Sequence, residues 1–157
     1  MRFSLIDRIT ELNEGVSITA EKHLFSTEDY LRDHFPGFPV MPGVLMLETM
    51  NQAAMWLVYA SEGFKNSVVH LKEAKNVKYQ DFVKPGQMLI VRAEVVKQDE
   101  ATTTLKASGS VDGKTAVSGR LVLERFTLAD RFPAVGPIDC YTRKELREYF
   151  RGINQAS

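Results

Sequence analysis

The chain contains very little cysteine: Cys140 is the single one among 157 residues. One thiol excludes an intramolecular disulfide and any metal site built from several cysteines. A lone free thiol is also typical of a reducing compartment, so the sequence predicts a cytoplasmic protein. We interpret Cys140 itself, which lies in a tail loop, as incidental rather than nucleophilic.

The chain also lacks a charge excess and a long uninterrupted apolar run. Its 20 basic residues balance 20 acidic ones, so no overall field attracts nucleic acid or anionic lipid, although a local basic patch remains possible. The N-terminus, MRFSLIDRITELNEG, carries charges where a signal peptide would have an apolar core. Residues 40–60 approach the hydropathy of a membrane span, but Pro42 and several polar residues interrupt them, which favours a buried helix.

A motif rich in proline and glycine, HFPGFPVMPG at residues 34–43, leads into this predicted helix. Pro42 suits a helix start and Gly63 a helix end. Between them apolar residues fall on every face, which predicts a helix enclosed by protein. Strand-like alternation follows, with a turn at 83–86 and a hairpin signal at Asp112-Gly113. The predicted strands are 15–25, 68–79, 87–98, 101–111 and 114–128.

This order predicts an α+β fold in which a curved antiparallel sheet wraps one long helix. The tail has a different character. Residues 126–141 are predicted to form a loop, and Thr142 to Glu145 resemble a capping box that opens a short helix through about Phe150. The apolar face of this helix, formed by Leu146, Tyr149 and Phe150, is expected to pack on the domain or on a neighbouring subunit.

Glu48 is a candidate acid because it lies in the apolar helix. A carboxylate placed there loses water, which is expected to raise its pKa, and a neutral carboxyl can protonate a leaving group. Gln52 lies one turn later on the same face and could hydrogen-bond to it. The alternative is a purely structural Glu–Gln pair.

His34 is a candidate base, since prolines and a glycine shape the loop that carries it. The alternative is an ordinary loop histidine, the interpretation that we also prefer for His23 and His70; none of the three has the spacing of a metal ligand. Gly43 begins the helix, where a free N–H and the helix dipole suit a small oxyanion site. The alternative is a flexible N-terminal glycine.

A base, an acid and a carbonyl-polarising amide thus fall within residues 34–48. Together they fit removal of a proton beside a thioester carbonyl with loss of a β-hydroxyl. The sequence contains no GxSxG elbow and no phosphate-binding glycine loop.

The segment HFPGFPVMPGVLMLETMNQAA (34–54) resembles the signature of the FabZ family, the (3R)-hydroxyacyl-acyl carrier protein dehydratases. The resemblance covers about residues 7 to 126 and includes 8–22 and the block VKYQDFVKPGQ at 77–87. The positions in register with the signature are His34, Phe35, Pro36, Gly37, Pro39, Pro42, Gly43, Val44, Leu45, Glu48 and Gln52.

The resemblance implies a hotdog fold for residues 1–126, with 127–157 as a C-terminal extension on the same domain. It implies a homodimer, assembling further to a hexamer, in which His34 of one subunit faces Glu48 of the other. The acyl chain would lie in an apolar tunnel between subunits, and the substrate would arrive on acidic acyl carrier protein. The candidate tunnel residues are Phe35, Phe38, Val44 and Phe82, and the candidate basic patch is Lys75, Lys78 and Lys84, for which solvated lysines are the alternative.

By this resemblance, His34 takes the C2 proton, Glu48 protonates the C3 hydroxyl, the Gly43 amide binds the thioester carbonyl and Gln52 orients Glu48. No metal or organic cofactor is implied. The product would be trans-2-enoyl-acyl carrier protein in fatty acid biosynthesis. The related FabA-type enzymes carry aspartate in place of Glu48, so dehydration without isomerisation is expected.

The chain departs from the family pattern at Phe38, Thr49, Asn51 and Gln87 and in its tail. A ring at position 38 could narrow the approach to His34 or change chain preference. Two other functions stay open from the sequence: a hotdog acyl-thioesterase, and a non-catalytic relative that binds acyl chains or acyl carrier protein.

Overall fold

The computed structural model describes residues 3–156. Residues 3–61 contain two strands, a short 3-10 turn at Asp29–Arg32 and one long helix. Residues 62–156 contain four strands followed by a helical tail. The bounds are β1 Arg8–Asn13, β2 Ser17–His23, α1 Gly43–Ser61, β3 Val68–Tyr79, β4 Met88–Gln98, β5 Thr102–Val111, β6 Lys114–Phe126, α2 Leu128–Arg131, a 3-10 segment Pro133–Ile138 and α3 Asp139–Ile153.

The six strands form one curved antiparallel sheet in the order β1-β2-β4-β5-β6-β3. Helix α1 contacts all six of them, and the apolar core lies between the helix and the concave face of the sheet. The predicted α+β hotdog architecture is confirmed.

Helix α1 is enclosed by protein, as its all-round apolar sequence predicts. Every residue from Thr49 to Ala60 except Met55 is buried. The helix begins directly after Pro42, and the chain leaves it through Gly63, whose φ of 60° is the left-handed conformation that glycine tolerates. In the described part of the chain, no helix has both the length and the apolar character that crossing a membrane requires.

The five predicted strands are confirmed with small differences at their ends. Asp112 and Gly113, with φ of 50° and 79°, form the turn of the predicted β5–β6 hairpin. Strand β1 has no counterpart among the predicted strands. It is an edge strand with one fully buried residue, Ile9, and a bulge between Ile9 and Glu11, so its side chains do not alternate cleanly.

The tail corrects two expectations. Residues 126–141 are not a plain loop, because they contain α2 and the 3-10 segment. The predicted capping box at Thr142 is wrong: α3 already begins at Asp139, and the Thr142 hydroxyl donates to the Ile138 carbonyl at 3.0 Å from inside the helix. A tertiary contact sets this start, since the Ser67 hydroxyl and the Leu128 N–H both donate to the Asp139 carboxylate.

The apolar face of α3 packs on the domain itself. Tyr149 stacks on Trp56 with a ring-centroid distance of 5.8 Å. Phe150 contacts Trp56 and Phe64 at 5.9 Å and 5.4 Å. The extension therefore covers the C-terminal half of α1, away from the Gly43 end of the helix.

We expect Asp139→Asn to lower the melting temperature at pH 7 by roughly 3–6 °C, because buried donors lose a charged acceptor. The pKa of Asp139 is lowered below its ordinary value, chiefly by the hydrogen bond from the Ser67 hydroxyl. The N–H groups of Leu128 and Ala129 and the charge of Arg143 lower it further. A lowered folded-state pKa stabilises the protein fully above about pH 4 and loses this effect as the pH falls through the folded value.

The difference between wild type and Asp139→Asn should therefore shrink as the pH is lowered from 4 to 2, which thermal unfolding at several pH values measures. Asp29→Asn serves as the control, because the Asp29 side chain is 95% exposed, and it should leave the melting temperature unchanged. A difference for Asp139→Asn that stays constant down to pH 2 would contradict the assigned cause.

Candidate active site

The loop between His34 and Pro42 is held by its own backbone. The Val40 N–H donates to the His34 carbonyl at 2.9 Å. Phe35 and Phe38 exchange two backbone hydrogen bonds of 3.0 and 2.9 Å, and Gly37 at φ 80° turns the chain between them. Val40 is fully buried, so the loop is anchored in the core and holds His34 in a defined position.

Among the residues that the structure describes, one nitrogen of the His34 imidazole has a hydrogen-bond partner and the other has none. Its Nδ1 lies 2.9 Å from the Val40 carbonyl oxygen. A carbonyl oxygen only accepts, so Nδ1 carries the hydrogen of this bond. In the neutral ring, Nε2 then holds the lone pair, which is the arrangement that a general base needs.

Gly43 is the first residue of α1. Its N–H is one of the first four in the helix, which have no carbonyl within the helix to accept their hydrogen bonds. The Tyr79 ring lies directly over this position: a Cβ added to Gly43 would be 3.0 Å from Tyr79 Cε1 and 3.1 Å from Cδ1. The absent side chain therefore makes room for the Tyr79 ring beside the first residue of the helix.

We expect Gly43→Ala to reduce kcat/KM for the reaction proposed below by about 10- to 100-fold, because the methyl group displaces Tyr79 and crowds the N–H. Tyr79 is half-exposed and can move outward, so the fold should persist. Gly152→Ala in α3 is a matched control, since nothing lies within 4 Å of its added Cβ. Steady-state kinetics of both variants measure the effect, and wild-type kcat/KM in Gly43→Ala would contradict it.

His34 and Gly43 line one cavity of about 270 Å³ at the N-terminal end of α1. Its other walls come from α1, from the preceding loop, and from the end of β3 with the segment that follows it. These residues are Met41, Met46, Tyr79, Gln80, Asp81 and Phe82. The Met41 N–H donates to the Val83 carbonyl at 2.9 Å, which joins the His34 loop to the opposite wall.

The predicted tunnel residues fall into two groups. Phe82 lines the cavity, whereas Phe35, Phe38 and Val44 are not among its lining residues. Phe38 nevertheless meets Phe82 edge-on, with 5.6 Å between ring centroids. These four side chains are between 45% and 65% exposed, so they form an apolar surface beside the cavity.

Glu48 is half-buried and is not among the residues lining the cavity of His34. Two side-chain amides hold its carboxyl group. Gln52 Nε2 lies 3.1 Å from Glu48 Oε1, and Asn51 Nδ2 lies 3.1 Å from Oε2. The structure thus brings Gln52 to Glu48 and Gly43 to His34, but it does not bring the two halves into one cavity within a single chain.

Sequence reasoning missed two parts of this arrangement. Tyr79 lies in the block at 77–87 that resembles the family, and this resemblance could have singled it out. Its position over Gly43, however, depends on how β3 packs. Asn51 differs from the family pattern, and its hydrogen bond to Glu48 could have been inferred from the i, i+3 spacing on a helix.

The other two histidines lie outside the cavity. His23 is 3.8 Å from Asp7 and His70 is 2.9 Å from Glu124. Among residues 3–156, no three His, Cys, Asp or Glu side chains are grouped so that they could hold a metal ion.

Comparison with known proteins agrees with this architecture. The FabA-like domain model matches residues 1–120. The dehydratase heterocomplex ApeI:P from Xenorhabdus doucetiae superposes with a TM-score of 0.68 at 17% identity, covering 84% of this chain and 89% of that one. A mutant thioesterase from Pseudomonas aeruginosa gives 0.60 at 18% identity, with 76% and 80% covered. The fold is therefore one that both dehydratases and thioesterases use.

Sequence relatives narrow the class. The chain is 42% identical over 116 residues to the 3-hydroxyacyl-[acyl-carrier-protein] dehydratase FabZ of Levilactobacillus brevis, which covers 74% of this chain and 78% of the relative. It is 37% identical over 135 residues to that of a Janthinobacterium species, with 84% and 86% covered. The chain belongs to the FabZ-type 3-hydroxyacyl-[acyl-carrier-protein] dehydratases, a family of hydro-lyases.

Proposed function

We propose that the protein dehydrates (3R)-3-hydroxyacyl-acyl carrier protein to trans-2-enoyl-acyl carrier protein in fatty acid biosynthesis. The observation that carries the proposal is that one cavity is lined both by His34, whose Nδ1 is bonded to the Val40 carbonyl, and by Gly43, the first residue of α1. A base and a carbonyl-binding amide at one end of a cavity suit removal of a proton next to a thioester carbonyl.

In this reaction His34 Nε2 removes the proton from C2, and the electrons form the C2–C3 double bond. The C3–O bond breaks as Glu48 gives its proton to the departing oxygen, so that water leaves. The Gly43 N–H stabilises the negative charge that develops on the thioester oxygen. Gln52 orients Glu48 through the hydrogen bond of 3.1 Å. With glutamate at position 48, we propose that the double bond stays between C2 and C3.

We propose that His34 and Glu48 act from different subunits of a homodimer. The absence of Glu48 from the residues lining the His34 cavity supports this, because acid and base must both reach one substrate. The exposed apolar side chains beside the cavity support the same proposal, since Phe38 and Phe82 are in contact and exposed apolar patches mark interaction sites. The same surface, formed by Phe35, Phe38, Val44 and Phe82, would line the acyl tunnel. Association of dimers into a hexamer is proposed on the family resemblance.

The partner that delivers the substrate is proposed to be acyl carrier protein. Lys84 Nζ lies 5.8 Å from the centroid of the Phe38 ring, so Lys84 stands near the cavity and is the candidate to meet an acidic partner. Lys78 precedes Tyr79 on β3, but its side chain lines a separate surface depression with Lys106 and Arg120 instead of the His34 cavity. Lys75 is paired with Glu73 at 3.5 Å, which leaves it less available.

The proposed site of action is the cytoplasm, which the single free thiol supports. We also propose that residues 1–126 are the dehydratase domain and that 127–157 are an extension packed on it. Contacts of α3 with Trp56 and Phe64 support this division, because they lie at the C-terminal end of α1, whereas His34 lies beside its N-terminal end.

The test is a spectroscopic assay with 3-hydroxyacyl-acyl carrier proteins of short, medium and long chain. Equilibration of the hydroxyacyl and trans-2-enoyl forms is the expected result. Release of free thiol would instead indicate a thioesterase. No reaction at any chain length would overturn the proposal and favour a non-catalytic relative.

A further inference from the structure

The Gln52 carboxamide is fully committed by its hydrogen bonds. Its Oε1 accepts the Leu5 N–H at 2.7 Å, and its Nε2 donates to the Phe3 carbonyl at 3.0 Å and to Glu48 Oε1 at 3.1 Å. A backbone N–H only donates and a carbonyl only accepts, so the orientation of this buried amide is determined. Gln52 can therefore offer Glu48 a donor and nothing else.

This constraint distinguishes the two oxygens of Glu48. Oε1 faces a permanent N–H donor, so it must accept a hydrogen bond whether the carboxyl group is ionised or protonated. In a protonated carboxyl group the hydroxyl oxygen is a much weaker acceptor than the carbonyl oxygen. The hydrogen bond from Gln52 therefore favours Oε1 as the carbonyl oxygen and Oε2 as the oxygen that carries the transferable proton.

Asn51 is the residue that meets Oε2. Its Nδ2 lies 3.1 Å from Glu48 Oε2 and 3.4 Å from Met55 Sδ. Asn51 differs from Gln52 in one respect: within the part of the chain that the structure describes, its Oδ1 is buried without a hydrogen-bond partner. The residue as a whole is 5% exposed. A buried acceptor of this kind normally finds a donor.

We propose that Asn51 is a positioning residue that holds the acid proton of Glu48 on Oε2. This inference rests on the proposed dehydratase function. Rotated about its Cβ–Cγ bond, the amide offers Oδ1 to the protonated carboxyl. After the Oε2–H bond breaks and the proton joins the leaving C3 oxygen, Nδ2 donates to the resulting carboxylate. One amide thus serves both protonation states, which Gln52 is unable to do.

The first test is steady-state kinetics of Asn51→Ala and Asn51→Leu with hydroxyacyl-acyl carrier protein. Loss of positioning is expected to lower kcat about tenfold and to leave KM within about twofold, because the group acts on proton transfer and not on binding. Asn51→Ser restores a small donor and acceptor and should recover part of kcat. Wild-type kcat in Asn51→Ala and Asn51→Leu would overturn the inference.

Thr49→Val is the matched control from the same helix. Thr49 is another buried departure from the family pattern, and its hydroxyl donates to the Leu45 carbonyl at 2.7 Å within α1. This variant should keep the wild-type kcat. A tenfold loss in it as well would assign the effect to packing of the helix and overturn the role of Asn51.

A double-mutant cycle of Asn51→Ala with Glu48→Ala, read in the free energy of unfolding at one protein concentration, does not depend on turnover. Coupling between the two positions is expected, and additive effects would overturn the contact. An inactive wild type would show that the proposed function has failed. If the wild type is inactive but the two positions are coupled in stability, the contact between Asn51 and Glu48 is structural only, and its positioning role is overturned.

Discussion

His34→Ala is expected to lower kcat for dehydration of 3-hydroxyacyl-acyl carrier protein by about 10²- to 10⁴-fold, the range that a positioned general base supplies. The reason is geometric. Nδ1 is committed to the Val40 carbonyl at 2.9 Å, and Nε2 is the ring nitrogen left for the C2 proton. The backbone bonds of the loop do not involve the imidazole, so the variant should fold. The enoyl absorbance of the product measures the rate.

His23→Ala and His70→Ala are the matched controls for this substitution. Each removes an imidazole that pairs with a carboxylate, Asp7 or Glu124, and neither residue lines the cavity. Both variants should keep the wild-type kcat. If His34→Ala lost less than about tenfold in kcat, the loss would be too small for removal of a general base. Another group would then have to be the base.

Glu48→Gln is the second large effect, with an expected loss in kcat of about 10²- to 10⁴-fold. The substitution keeps the size of the side chain and an oxygen that can accept from Gln52 or Asn51. It removes the proton that has to reach the C3 oxygen. Glu100→Gln, in the exposed turn between β4 and β5, is the control and should leave kcat unchanged. A Glu48→Gln variant with the wild-type rate would exclude Glu48 as the acid.

The two inactive variants together test whether the site is shared between subunits. Subunits of His34→Ala and Glu48→Gln, co-expressed so that they mix, should regain about a quarter of the wild-type rate, because half of the symmetric dimers are mixed and each holds one intact site. Each variant alone stays inactive. No recovery in mixed dimers of confirmed composition would place acid and base in the same chain.

Local sequence information determined the elements of the chain and the identity of the candidate residues. Proline restricts the backbone and glycine permits positive φ, so the loop from His34 to Gly43 and the hairpin at Asp112-Gly113 follow from neighbouring residues alone. Alternating hydrophobicity predicted five strands, and the stretch between Pro42 and Gly63 that is apolar on every face predicted α1. The register of residues 34–54 with a known signature singled out His34, Glu48, Gly43 and Gln52.

Tertiary structure alone decided the features that join distant parts of the chain. Periodicity does not indicate that β3 pairs with β6 or that Tyr79 covers Gly43. Nor does it indicate that Asp139 meets Ser67, so that α3 begins before the predicted capping residue Thr142. The same holds for the Gln52 amide, whose orientation depends on Phe3 and Leu5, 49 and 47 residues away. Such contacts arise only when the helix is buried in the sheet, because buried polar groups then take the partners that the fold brings to them.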